Sequence, residues 1–205
     1  MKVLAIGSHP DDIEYGAGGL LLKMAKNKEN SIFFFVATGG EMSGGSSVRK
    51  KEQEAAADFI GVKKIFWGGF KDTELKMGRE LINTVESAIK ESSPDMILVN
   101  FDKDFHQDHR YLAESTLVAS RYSSKVLFYE DFTAKEYYPR VFADITDVLE
   151  DKVRLISFHK SQVERQYPTG LDIVESLKAV ASYRGFQAKV KYAEGYAPVR
   201  YLLDV

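Results

Sequence analysis

Val3-Leu4-Ala5-Ile6-Gly7, followed by Ser8-His9-Pro10-Asp11-Asp12 and then by the apolar positions Leu20, Leu21, Leu22, Met24 and Ala25, reads as strand, loop and helix. The same cycle recurs along the chain. Ile32 to Ala37 is a Phe- and Val-rich run that stops at Thr38-Gly39-Gly40, and Val48 to Ile60 has the Ala-rich, charge-laced composition of a helix. Lys64 to Trp67 reads as a third strand and Leu81 to Ile89 repeats apolar residues at helical spacing. After Pro94 comes a fourth strand, Met96 to Val99, then a helix from about Arg110 to Arg121 and a strand at Val126 to Tyr129. Short, wholly apolar strands alternating with helices predict a Rossmann-like α/β fold, a mostly parallel sheet with helices on both faces. Beyond Asp131 the rhythm loosens to a strand near Val141 to Ile145, helices near Val148 to Phe158 and Asp172 to Tyr183, and a closing apolar run at Arg200 to Val205. No repeat or linker sets this part off, so residues 1–205 read as a single domain whose last third completes the sheet and walls the site.

Composition narrows the function classes. The chain has 205 residues, 44% of them apolar and 28% charged, which is ordinary globular usage. A formal net charge of -2 supplies no clustered surplus of Lys and Arg for a nucleic acid, so a small molecule is the expected partner. There is no cysteine, which excludes disulfides, thiolate metal sites and cysteine nucleophiles and leaves nitrogen and oxygen as the only metal ligands. No apolar stretch approaches the ~20 residues of a membrane span, and Lys2 to Gly7 is too short for a signal peptide, so a cytoplasmic protein is expected.

In open parallel sheets the ligand sits beyond the carboxyl ends of the strands, where strand order reverses. Three of the four histidines fall in two such loops, His9 after the first strand and His106 and His109 after the fourth. A Rossmann-like order makes those strands neighbours and brings the loops face to face. Imidazole and carboxylate suit zinc or a similar divalent ion, and a catalytic site keeps three protein ligands with a position left for water. His9, Asp12 and His109 supply that set. Asp11, adjacent to Asp12 and unable to aim at the same atom easily, is the candidate base, and His106 is placed to donate a proton or hydrogen bond to a developing oxyanion.

These residues also carry a resemblance. His9-Pro10-Asp11-Asp12 with Glu14 and Gly18-Gly19, Thr38-Gly39-Gly40-Glu41, Arg49 to Glu52 and His106-Gln107-Asp108-His109 resemble the PIG-L/LmbE family of metal-dependent N-deacetylases. The likeness continues through Tyr129-Glu130, Phe142 to Ile145, Ser161-Gln162 and Tyr192-Ala193-Glu194. The resemblance implies a zinc-dependent hydrolase that removes acetyl from an N-acetylglucosamine-type sugar on a small-molecule or nucleotide carrier. By it, His9, Asp12 and His109 match the zinc ligands, Asp11 the carboxylate that activates water, His106 the histidine assisting the tetrahedral intermediate, and Arg49 a substrate-contacting arginine. It further implies homo-oligomers, common among bacterial members. Gln107 stands where many relatives have proline, and Gly39 where many have Asp or Asn.

Competing readings are a hydrolase of another amide, a hydratase-type reaction on a carboxylic acid, and a non-catalytic nucleotide- or metal-binding Rossmann-like module. His-Pro-Asp-Asp alone is also a simple turn with a helix cap. Gly16-Ala17-Gly18-Gly19 invites a phosphate-cradle reading, but its spacing after the strand is wrong. Asp108 reads as an N-cap or as support for a histidine, and His159 as a helix-end residue favoured by the dipole. The glycines from Gly39 to Gly45 suit a mobile loop over the site or tight turns, and Tyr137 and Tyr138 are candidates to stack on a sugar ring.

Overall fold

The computed structural model describes residues 1–165 and 167–203, the side chain of Thr169 excepted. Seven strands form one sheet in the order β3-β2-β1-β4-β5-β7-β6. They are β1 (Lys2–Gly7), β2 (Ser31–Thr38), β3 (Lys64–Phe70), β4 (Met96–Asn100), β5 (Lys125–Tyr129), β6 (Val141–Asp144) and β7 (Ala193–Tyr201). The first five strands pair in parallel, and β7 runs antiparallel to both β5 and β6. Period-two alternation sends Val3 and Ala5 to one face of β1 and Leu4 and Ile6 to the other, and all four are fully buried.

Each face is covered by helices, as the strand composition predicts. Leu4, Ile6, Ile97 and Val99 pack on α3 (Arg79–Ser92) and α4 (Gln107–Ala119) through Leu81, Val85 and Leu112. The opposite face packs on α1 (Asp12–Ala25), α2 (Ser46–Ile60) and α5 (Leu149–Ile156). A third cluster joins α1 and α5 to α7 (Ile173–Ala188) through Tyr15, Ile156 and Leu177. A short α6 (Lys160–Val163) follows α5 and was not anticipated.

Three expectations change. The helix after β1 begins at Asp12 rather than near Leu20, so Gly16-Ala17-Gly18-Gly19 lies inside it and cradles no phosphate. Those glycines allow contact instead: a Cβ would fall 2.1 Å from Tyr129 Cδ2 at Gly16, 2.9 Å from Leu155 Cδ2 at Gly18 and 2.6 Å from Ile145 Cγ2 at Gly19. The low helix propensity of glycine hides the helix, and close packing outweighs it. The closing strand starts at Ala193, before the expected Arg200, because Glu194 and Gly195 interrupt its apolar signature; Asp204 and Val205 lie outside the described residues. Tyr137 is no stacking platform, since it is buried with its hydroxyl donating to the carbonyls of Phe128 and Gly195, whereas Tyr138 is exposed. Among the described residues no helix is long and apolar enough to cross a membrane.

Candidate metal centre and active site

The switch between β1 and β4 sets the loops after those strands side by side, with parallel pairing from Val3–Met96 to Ile6–Val99. Asn100, the last residue of β4, ties the loops together: its Oδ1 accepts the Ser8 N–H at 3.1 Å and its Nδ2 donates to Asp12 Oδ2 at 3.1 Å. Asp12 Oδ2 also accepts the backbone N–H groups of Ser8 and His9 at 2.9 and 3.0 Å. Burial would raise the Asp12 pKa, yet the neighbouring His109 and His9 hold the carboxyl well below its ordinary range.

Three potential ligand atoms meet here. His9 Nδ1 lies 3.6 Å from Asp12 Oδ2, His109 Nε2 lies 3.4 Å from the same oxygen, and the two ring nitrogens are 3.3 Å apart. A tetrahedral zinc with ligands at about 2.0–2.1 Å separates them by roughly 3.3–3.4 Å. The donor chemistry and the triangle therefore both fit such an ion. The far edge of each imidazole is backed by carboxylates, as metal-binding histidines usually are. His9 Nε2 is 3.0 Å from Asp72 Oδ1 and 3.3 Å from Asp108 Oδ2, and His109 Nδ1 is 3.1 Å from Asp104 Oδ2. The three histidines His9, His106 and His109 are compact enough to hold an ion as well, and so are two acidic groupings, His9 with Asp72 and Asp108, and Asp12 with His109 and Asp131. The first of the acidic groupings uses the outward edge of His9, and Asp131 Oδ2 stands 4.0 Å from His109 Nδ1 on that ring's outward edge, so both serve better as backing. Burial alone would lower the two histidine pKa values, but the carboxylates win: His9 rises well above its ordinary value and His109 to about 10.

His106 is the N-cap of α4, its Nδ1 accepting the Asp108 N–H at 3.2 Å. Asp108 is therefore not the cap. Its carboxylate instead accepts the Thr73 N–H at 2.7 Å and stands behind His9. With Nδ1 committed as acceptor, neutral His106 carries its proton on Nε2 and is a donor there. Burial first, then the charges of His9 and His109, lower its pKa. Its ring contacts His9 edge-on at 4.6 Å and stacks on His109 at 4.8 Å between centroids.

Asp11 adopts φ 100°, ψ -29°, a left-handed conformation that costs a non-glycine residue energy. This turn separates its side chain from that of Asp12. Burial raises the Asp11 carboxyl pKa, opposed by Arg49, whose Nη2 sits 3.1 Å away. Arg49 is buried, and its terminal nitrogens also donate to Pro10 O, Gly40 O and Ser43 Oγ. Gly40, at φ 65°, lies so close that a Cβ there would strike Arg49 Nη1 at 2.1 Å. Gly39 is crowded too, since a Cβ there would lie 2.2 Å from Ser46 Oγ and 3.1 Å from Ser46 Cβ. The Gly39–Gly45 segment is tied by Met42 N–H to Asp72 and by Gln162 Nε2 to Ser43 O.

His9, Asp11, Asp12, Arg49, His106 and His109 all line one cavity of about 260 Å³. Asp72, Met42, Phe132, Gln162, Arg165 and Tyr167 complete its walls, and none of these was singled out as a wall residue from sequence, although Ser161-Gln162 lay within the resemblance. His159 stands at a helix end, as the N-cap of α6. It is fully buried, with Nε2 3.5 Å from Glu14 Oε2, and the Glu14 charge raises its pKa despite burial.

Known proteins share this sequence pattern and fold. The family model described as PIG-L, GlcNAc-PI de-N-acetylase, matches residues 4–120. A diacetylchitobiose deacetylase of Thermococcus kodakarensis is 29% identical over 221 residues, covering 95% of this chain and 81% of the relative. Among solved structures, the N,N'-diacetylchitobiose deacetylase of Pyrococcus horikoshii superposes with a TM-score of 0.83 at 28% identity, covering 97% of this chain and 83% of that one. The conserved protein TT1542 of Thermus thermophilus gives 0.87 at 25% identity, with 99% and 96% covered. The β1 loop, with its His-Pro-Asp-Asp segment, the arginine of α2 and the paired histidines before and within α4 all fall inside the matched residues, and the chain belongs to the PIG-L family of de-N-acetylases, a family of enzymes.

Proposed function

We infer that this protein is a zinc-dependent hydrolase that removes the acetyl group from an N-acetylglucosamine-type amino sugar on a small-molecule or nucleotide carrier, and that residues 1–205 act as one domain. The observation that carries the reading is the 3.3–3.6 Å triangle of His9 Nδ1, Asp12 Oδ2 and His109 Nε2 on the floor of a cavity also lined by Asp11 and His106. The family membership and the deacetylase relatives support the bond; the nitrogen and oxygen donors support zinc.

Bound there, zinc would supply Lewis acidity to the amide carbonyl and make a water acidic enough to lose a proton near neutrality. Asp11 is the group that takes that proton, desolvation of its partly buried carboxyl raising its pKa and so its basicity. His106 donates a hydrogen bond from its Nε2–H to the carbonyl oxygen as charge develops, and the proton that Asp11 took from water passes to the departing amine. Arg49 borders the substrate, although its hydrogen bonds to Pro10 and its contact with Asp11 make orientation of the base its first effect. The products are acetate and a free amino sugar.

The test is release of acetate and amine from a panel of N-acetylated sugars, with and without chelator. Asp11→Asn is expected to retain metal and lose turnover by 10²-fold or more. Unchanged turnover in that variant would remove Asp11 from the mechanism.

A further inference from the structure

The left-handed Asp11 backbone needs something to hold it, and the structure offers a buried chain of three side chains, Gln53, Glu14 and His159, whose mutual contact the sequence does not show. The Asp11 N–H donates to Gln53 Oε1 at 3.3 Å. Gln53 Nε2 donates to Glu14 Oε1 at 2.5 Å. Glu14 Oε2 faces His159 Nε2 at 3.5 Å, and neither ring nitrogen of His159 has a hydrogen-bond partner among the described residues. Gln53, Glu14 and His159 are all fully buried.

The amide of Gln53 has no freedom to turn over. An N–H at one end demands its oxygen and a carboxylate at the other demands its nitrogen, so both neighbours select the same orientation. His159 in turn is fixed by its own backbone: its carbonyl accepts the Gln162 and Val163 N–H groups, and the next turn is pinned to α2 by Ser161, whose N–H and hydroxyl both donate to Glu52. Helix α2 therefore grips the Asp11 turn twice, through Arg49 on the carbonyl and carboxylate side and through Gln53 on the N–H side.

We propose that Gln53, oriented by Glu14 with His159 behind it, is a positioning residue that holds the strained Asp11 backbone and so aims its carboxylate at the reacting water. This rests on the reading of Asp11 as base. A misplacement of about 1 Å at a reacting group costs as much as 10²-fold in rate, whereas binding through the rest of the cavity is untouched. The signature is thus a fall in kcat without a matching change in KM.

Two zinc-loaded variants test it. Gln53→Met keeps the volume and removes the acceptor; Glu14→Gln keeps the shape and lets the Gln53 amide turn over. Both are expected to lower kcat by roughly 10-fold with KM and bound zinc within twofold of the parent, and to speed hydrogen exchange at the Asp11 amide. If Gln53→Met does not fold by circular dichroism, Glu14→Gln decides alone. Folded, zinc-loaded protein with kcat within twofold of the parent and unchanged Asp11 exchange overturns the proposal. Asp11→Asn is run beside them. Full activity there defeats the base assignment itself, while the exchange measurement still reports whether Gln53 holds the backbone.

Discussion

Removing the carboxylate of Glu194 should be among the most damaging single changes outside the site. It lies on β7, and four donors converge on it: the Gly19 N–H at 2.7 Å and Lys152 Nζ at 2.6 Å on Oε1, the Leu20 N–H at 2.8 Å and the Tyr196 hydroxyl at 2.7 Å on Oε2. The Lys152 and Glu194 side chains are each only 4% exposed. A Cβ on Gly19 would come within 2.9 Å of Glu194 Oε1, so the glycine admits the carboxylate to the helix backbone. Glu194→Leu strands a buried ammonium, and breaking a buried pair from one side costs about 3–5 kcal/mol. At about 2–4 °C per kcal/mol for a chain of this size, Tm should fall by roughly 6–20 °C. Lys152→Met leaves the carboxylate three neutral donors and loses one charge-assisted bond, about 1.5–3 kcal/mol. The double variant should lose less than the sum of the two by about 1.5 kcal/mol or more, because no charge is then left unpaired. Urea denaturation of the four proteins measures each term. A Glu194→Leu protein within about 1 kcal/mol of the parent would refute the reasoning.

Asn100→Ala removes the donor that aims Asp12 Oδ2 and the acceptor that fixes Ser8; zinc affinity should fall about 10- to 100-fold, read by competition with a chromophoric chelator, and an unchanged affinity would make Asn100 mere packing. With the proposed zinc assignment, chelation should lower Tm, since an ion at 100 times its Kd stabilises by about 2.7 kcal/mol, or roughly 5–11 °C here. The gain should grow with pH. His109, raised to about 10, stabilises the metal-free fold fully below about 6.5 and loses that contribution as pH rises through about 10, and zinc must displace its proton. Differential scanning at pH 6 and pH 8 with and without chelator checks this, and a larger zinc effect at pH 6 would contradict it.

Much of the fold was legible because the strands are buried on both faces and announce themselves as apolar runs. Strand boundaries at Ile32, Met96 and Val126 shift by one residue at most. What stayed hidden shares one cause. Glycines in α1 and the Glu194-Gly195 pair in β7 look like breakers or polar loop, yet each makes room for a side chain from elsewhere, and such complementarity lies between segments distant in sequence. His159 was half legible: it does stand at a helix terminus, as its neighbours suggest, but its partner, Glu14, sits on another helix.

The site divides along the same line. That His9, Asp12 and His109 come together was legible from residue type and strand-end position because parallel topology forces β1 against β4. The residues that aim them could not, since Asn100, Asp104 and Asp72 are ordinary polar residues until the loops close. The consecutive aspartates join the two levels. Asp12 enters helix α1 and turns its carboxylate back to the N–H groups of Ser8 and His9, while the residue before the helix leaves the helical region and presents its carboxylate to Arg49. Asp11 does so at φ 100°. That conformation carries an energetic cost, and its compensation comes from α2, where Arg49 and Gln53 take the carbonyl before it and the N–H within it. The proposed metal floor is thus specified locally by the β1 loop and by α4, whereas the aim of Asp11, the proposed base, is specified by a helix that contributes no ligand to the His9, Asp12 and His109 set.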